Sequence, residues 1–166
     1  MKINILVVDD HSVVRQGVKQ ILEDVPHLSV TGEAANAAET MSQLSSYKFD
    51  IVLLDISLGQ RNGLELLKQI LQSDPSLKVL SLSMHPEKQY AIRAIKAGAY
   101  GYLMKDSAST ELIVALDTIA KGQKYVTLTL AEQLVAEISG TTQPEPHKSL
   151  SDRELEVMLL LAKGHT

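Results

Sequence analysis

Short apolar runs recur along the chain: INILVV at 3–8, LSVTGEA at 28–34, DIVLLD at 50–55, LKVLSLS at 77–83 and YGYLM at 100–104. They are rich in Val, Ile, Leu and Tyr, and most are continuous rather than alternating, as in strands covered on both faces. Helical spacing fills the intervals. Val14, Val18, Ile21 and Leu22 share one face, Leu64, Leu67, Ile70 and Leu71 a second, and Leu112, Ala115, Leu116 and Ile119 a third. Ser107 is placed to cap the last of these helices and Gly122 to end it. Strand and helix alternating about every 25 residues predict a parallel sheet with helices on both faces. The expected fold is α/β, a five-stranded parallel doubly wound sheet of order 2-1-3-4-5, complete near Gly122.

Beyond Gly122 the pattern changes. TLAEQLVAEIS at 129–139 predicts one more helix starting near Thr129, and GTTQPEPHK at 140–148 is a polar linker with two prolines. In LSDRELEVMLLLAKGHT, Ser151 and Glu154 form a capping box, and Leu150 and Leu155 a hydrophobic staple. Leu155, Met158, Leu159 and Ala162 make an apolar stripe, with Gly164 as the C-cap. A single amphipathic helix of about 13 residues is marginal alone, so it either docks or opens a further domain. The expected division is 1–122, 123–149 and 150–166.

Composition narrows the chemistry. The 166 residues are 45% hydrophobic and 22% charged, ordinary for a soluble globular protein. The chain lacks cysteine, which excludes disulfides, thiol catalysis and thiolate metal sites. His11, His27, His85, His147 and His165 lack zinc-ligand spacing. No apolar run approaches the roughly 18 residues of a membrane span, and MKINILVVDD meets acids too soon for a signal peptide. A soluble cytoplasmic protein is expected. The net charge of −4 argues against a surface-wide nucleic-acid patch but leaves a local basic element open.

Ligands of open parallel sheets bind beyond the carboxyl ends of the strands. Strand one ends in Asp9 and Asp10, strand three in Asp55 and strand four in Ser83, while Lys105 follows strand five. Strand two, an edge, ends in Glu33, Ala34 and Ala35. Adjacent like charges about 4 Å apart repel by roughly 1 kcal/mol in water and about 4 at an effective dielectric near 20, so the acid pair requires a positive partner. Asp9 and Asp10 can share a Mg2+ ion, which favours oxygen ligands. Asp55 is the remaining central acid, and carboxylates act as nucleophiles toward phosphorus. Taken singly, each residue reads as a cap, a turn or a solvated charge; the chemistry lies in their joint placement.

The motifs VVDD, DIVLLDISL, LSLS and AGAYGYLMKD resemble the receiver domain of bacterial two-component response regulators over residues 1 to about 122. LSDRELEVMLLLAKG resembles the opening of the LuxR-type helix-turn-helix domain of the NarL/FixJ subfamily. The resemblance implies that Asp55 accepts a phosphoryl group from a sensor histidine kinase. It makes Asp10 a direct Mg2+ ligand, Asp9 a ligand mainly through water, and the Ser57 backbone carbonyl a further ligand. Ser83 becomes the switch hydroxyl, Lys105 the partner of the phosphoryl oxygens and Tyr102 the aromatic switch.

Phosphoryl transfer asks a protein chiefly for positioning and charge neutralisation. The acyl phosphate adds a charge of roughly −1.5 to −2. A Ser83 hydrogen bond to it would vacate space for Tyr102, a two-state bias of a few kcal/mol. Gly59 stands where many receivers carry proline. Lys105 is followed by Asp106 instead of proline, and a cis bond without proline costs about 2.5–4 kcal/mol. His85, two residues past Ser83, holds a variable position that can influence phosphoryl lifetime. His11 is expected to help start the first helix, with no ligand role.

The implied protein is a homodimeric transcription regulator whose helix-turn-helix binds DNA, with the sequence as given ending before the recognition helix. No enzymatic activity beyond self-phosphorylation and self-dephosphorylation is expected, and no membrane partner. Two alternatives stand: a Mg-dependent aspartyl-phosphate hydrolase, and a non-phosphorylated interaction module. The hydrolase would carry a second acid two residues past the nucleophile, where Ser57 stands, and a cap for which there is no insertion.

Overall fold

The computed structural model describes residues 2–57, 63–84, 88–107 and 109–138. Five strands, β1 (Ile3–Val8), β2 (Leu28–Ala34), β3 (Ile51–Asp55), β4 (Lys78–Ser83) and β5 (Gly101–Met104), alternate with α1 (Ser12–Glu23), α2 (Ala37–Ser46), α3 (Gly63–Ser73), α4 (Lys88–Lys96) and α5 (Ser109–Ala120). A sixth helix, α6 (Leu128–Ile138), follows. The sheet order is β2-β1-β3-β4-β5 and every pairing is parallel, as the apolar runs predict.

The runs are continuous because both sheet faces are dry. Leu6, Val8, Val52, Leu54 and Val79 point to one core, built with α2, α3, α4 and α6. Ile5, Val7, Ile51, Leu53, Leu80 and Leu82 point to the other, built with α1 and α5. Only the edge strand β2 is mostly half-exposed, and its pairing with β1 slips by one residue between Ile5 and Leu6. This architecture sends every strand's carboxyl end to one rim.

Helix ends differ from expectation in detail. Gly122 ends α5 as predicted: its φ is +84°, its N–H donates to the Ile119 carbonyl at 2.8 Å, and Gln123 N–H donates to Thr118 at 3.2 Å. That paired reversal favours glycine because it needs the left-handed region. Ser107 lies two residues before α5, its N–H bonded to the Met104 carbonyl at 3.1 Å, so it belongs to the turn leaving β5. Helix α6 begins at Leu128, beside Thr129 as expected, and its cap is Thr127, whose Oγ1 accepts from Leu130 N–H at 3.2 Å.

The segment joining α5 to α6 is fixed at the β5 edge. Tyr125 N–H donates to the Tyr100 carbonyl at 2.8 Å, and a Cβ on Gly101 would lie 2.7 Å from the Tyr125 carbonyl oxygen. From there α6 lies against α4, with Leu130 buried in the core that holds Tyr90 and Tyr102. Residues 139–166, with the expected linker and helix-turn-helix opening, lie outside the described residues, as do Gly59 and His85. Among the described residues no helix is long and apolar enough to cross a membrane.

Candidate phosphoacceptor site

Strand geometry brings the predicted residues to one place. Asp9 directly follows β1, its N–H bonded to the Ala34 carbonyl at 3.0 Å, and its side chain is only 1% exposed. Asp55 closes β3 and is equally buried. Lys105 leaves β5 with its N–H bonded to the Ser83 carbonyl at 2.9 Å. Its buried side chain reaches across β4, placing Nζ 2.7 Å from Asp9 Oδ2 and 3.0 Å from Asp55 Oδ2. The ends of β1, β3 and β5 are thereby tied through one ammonium.

Electrostatics favours the charged lysine. Burial alone would lower its pKa, but the Asp9 and Asp55 carboxylates outweigh it and hold the ammonium above its ordinary value. The two Oδ2 atoms are buried and accept no well-angled hydrogen bond, so their contacts with Lys105 are ionic. Asp10, one residue on, is partly exposed. Three carboxylates against one ammonium leave the rim negative.

Asp55 is oriented from its other oxygen. Ser57 donates to Oδ1 through its backbone N–H at 3.0 Å and its hydroxyl at 2.9 Å. This turn leaves Oδ2 as the oxygen facing Lys105. Gly63 begins α3 against the same backbone: its N–H donates to the Ile56 carbonyl at 2.9 Å, and a Cβ there would lie 2.2 Å from that oxygen. Ser83 is fully buried at the end of β4. Tyr102 pairs with Ser81 across β4 and β5, and its ring is buried on the side of α4 and α6. Ser83 pairs with Met104, two residues along, so Ser83 and Tyr102 face the same side of the sheet.

The structure adds residues that sequence reasoning missed. His11 caps α1 through its carbonyl, which accepts from Val14 and Arg15 N–H at 3.1 and 3.2 Å, as its place before the helix suggested. Its ring makes no capping bond; Nδ1 lies 3.1 Å from Asp9 Oδ1 and 3.0 Å from Asp10 Oδ1. Arg15 donates to the Asp9 carbonyl and, through Nε, to Glu33 Oε1 at 3.1 Å, while Lys19 also pairs with Glu33. The Lys19 bond, against partial desolvation and aided by Arg15, holds the Glu33 carboxyl below the usual range. The available signal was the i, i+4 spacing of Arg15 and Lys19, which puts two cations on one face of α1, with the acid Glu33 near the end of β2.

One donor atom from each of Asp9, Asp10, His11 and Asp55 falls within 4.8 Å of the others. Carboxylate oxygens, two of them buried without hydrogen bonds, in a negative pocket fit a small hard cation such as Mg2+.

This sheet order, with an acid pair, a central aspartate and a lysine on one rim, defines a phosphoacceptor receiver. Residues 5–117 match the response regulator receiver domain family, and the chain belongs to it. It is 36% identical over 163 residues to the response regulator UvrY of Escherichia coli (strain K12), covering 98% of this chain and 75% of UvrY. It is similar in structure to a LuxR-family two-component response regulator from Aurantimonas sp. SI85-9A1, with a TM-score of 0.76 and 32% identity over 84% of this chain and 99% of that one. A structure of two RcsB dimers bound to two parallel DNAs gives a TM-score of 0.76 at 25% identity, covering 100% of this chain and 79% of that one. The chain is a response regulator of the NarL/FixJ type, a signalling protein of phosphorylation-dependent transcription control.

Proposed function

We propose that Asp55 is the phosphoacceptor, taking a phosphoryl group from the phosphohistidine of a sensor histidine kinase in the cytoplasm. The observation that carries this reading is the bridge from Lys105 Nζ to Asp9 Oδ2 and Asp55 Oδ2. Ser57 occupies Asp55 Oδ1, so Oδ2 is the oxygen available to phosphorus. As the new O–P bond forms, the N–P bond of the kinase breaks and the electron pair returns to the imidazole, which takes up a proton. Lys105 then exchanges part of its carboxylate contact for phosphoryl oxygens, at little cost because it is already charged and positioned. Asp9, Asp10, Asp55 and the Ser57 carbonyl are the residues to hold Mg2+, which supplies neutralising charge for the phosphoryl oxygens.

The output runs through β4 and β5. Ser83, buried at the rim, donates to the new phosphoryl group, and Tyr102 transmits the change to α4 and α6 through their shared core. Residues 1–122 serve as the receiver, 123–149 as helix and linker, and 150–166 as the opening of a LuxR-type DNA-binding domain. Likeness to RcsB dimers on DNA supports a homodimer that binds DNA through that domain. The hydrolase alternative finds no support: the residue two past Asp55 is Ser57, committed to orienting the nucleophile.

Incubation with acetyl phosphate and Mg2+ tests the reading. Intact-mass measurement should show one phosphoryl group per chain, absent in Asp55→Asn and without Mg2+. Undiminished labelling of Asp55→Asn would overturn the assignment.

A further inference from the structure

His11 Nδ1 stands 3.1 Å from Asp9 Oδ1 and 3.0 Å from Asp10 Oδ1. With Nδ1 protonated, the contact with Asp9 is a hydrogen bond, beside the 2.8 Å bond that the His11 backbone N–H donates to the same Oδ1; with Nδ1 unprotonated, two electron-pair donors this close need a cation between them. Neighbouring donors on a six-coordinate ion with bonds of about 2.1 Å lie about 3 Å apart. With a cation in place, His11 is spaced from both acids as one ligand is from another. Asp55 brings a fourth donor within the same 4.8 Å spread. The Oδ2 atoms of Asp9 and Asp55, buried and held by the Lys105 ammonium, show that the rim already gathers positive charge.

Resting on the reading that this rim holds a divalent cation, we infer that His11 Nδ1 is a nitrogen ligand to that cation and tilts the site toward first-row transition ions. Mg2+ prefers oxygen donors, whereas imidazole suits ions such as Fe2+, Co2+ and Ni2+. An all-oxygen rim follows the general affinity order; one imidazole adds a preference that its removal takes away. The ring is available for this work. It is 67% exposed and makes no capping bond to α1, whose first turn is held by the His11 carbonyl instead. With Nδ1 bound to the ion, the proton sits on Nε2.

Co2+ is the probe, used with the full chain. Proton NMR of the Co2+-loaded protein in water should show one strongly shifted, exchangeable ring N–H signal that disappears in D2O and is absent from His11→Asn. Competition calorimetry should show the Co2+ over Mg2+ preference falling about tenfold in His11→Asn. The wild-type NMR signal stands whether or not the variant folds. Co2+ binding without a shifted ring signal, or an unchanged preference in a folded variant, overturns the His11 inference and leaves the cation reading intact. If neither Co2+ nor Mg2+ binds, both fall.

Discussion

Two ionic clusters flank the end of β1, opposite in net charge and unlike in burial. In one, Lys105 sits between Asp9 and Asp55, all three side chains nearly closed to solvent. In the other, Arg15 and Lys19 meet a Glu33 side chain that is 34% exposed. The first keeps carboxylate oxygens without hydrogen bonds, which suits exchange of partners during chemistry. The second is fully committed: Arg15 ties the Asp9 carbonyl to β2 and holds the strand end in place. Burial makes one cluster reactive and costly, and exposure makes the other a cheap brace.

Removing Lys105 should cost most. In Lys105→Met, with divalent ions chelated, two buried carboxylates lose their counter-charge, and urea unfolding at pH 7 should show a loss of about 3–5 kcal/mol. A loss below about 1 kcal/mol would place Lys105 with the exposed class. Asp10→Asn should act oppositely, relieving the negative rim and raising stability by about 1 kcal/mol under the same conditions. Added Mg2+ should narrow that gap between wild type and variant, because the ion neutralises the same charge. Glu33→Gln should change stability by less than about 1 kcal/mol, the range of exposed ion pairs. A cost above about 2 kcal/mol would show that the brace is structural.

The two clusters should also separate on a pH axis. Lys105 has a raised pKa in the folded chain, so its stabilisation is complete below its ordinary 10.5 and is lost as pH climbs past the raised value. Glu33 has a lowered pKa, so its contribution is present above its ordinary 4.5 and is lost as pH falls through the folded value. Thermal melts of Lys105→Met should therefore lack the wild-type alkaline decline, and those of Glu33→Gln should show a shallower acid decline. Parallel pH profiles for a variant and the wild type would refute the corresponding assignment.

The five strands were legible because doubly covered strands read as unbroken apolar runs, and their carboxyl ends announce the rim. Asp9, Asp55 and Lys105 meet as their strand positions require. The sequence reading did not single out α2 and α4. In α2 only Ala37 and Thr40 are buried, so its apolar stripe is faint, although Asn36 and Glu39 form a reciprocal cap at its start. In α4 the apolar face is clear, with Tyr90, Ala91, Ala94 and Ile95 buried, but the helix spans only nine residues, Lys88–Lys96. The start of α6 was legible to within a residue of Thr129, while its cap, Thr127, is fixed by the hydrogen bond from Leu130 N–H. The His11 ring was out of reach because periodicity fixes where a residue lies on a helix, not what its atoms touch.

The docking of α6 sets where the molecule can safely be cut. Leu130 fills a space in the oily layer over α4, with Val126 and Leu134 beside it. Ending the chain at Gly122 would bare that layer to water and invite aggregation, whereas keeping the chain through Ile138 retains the cover that α6 supplies.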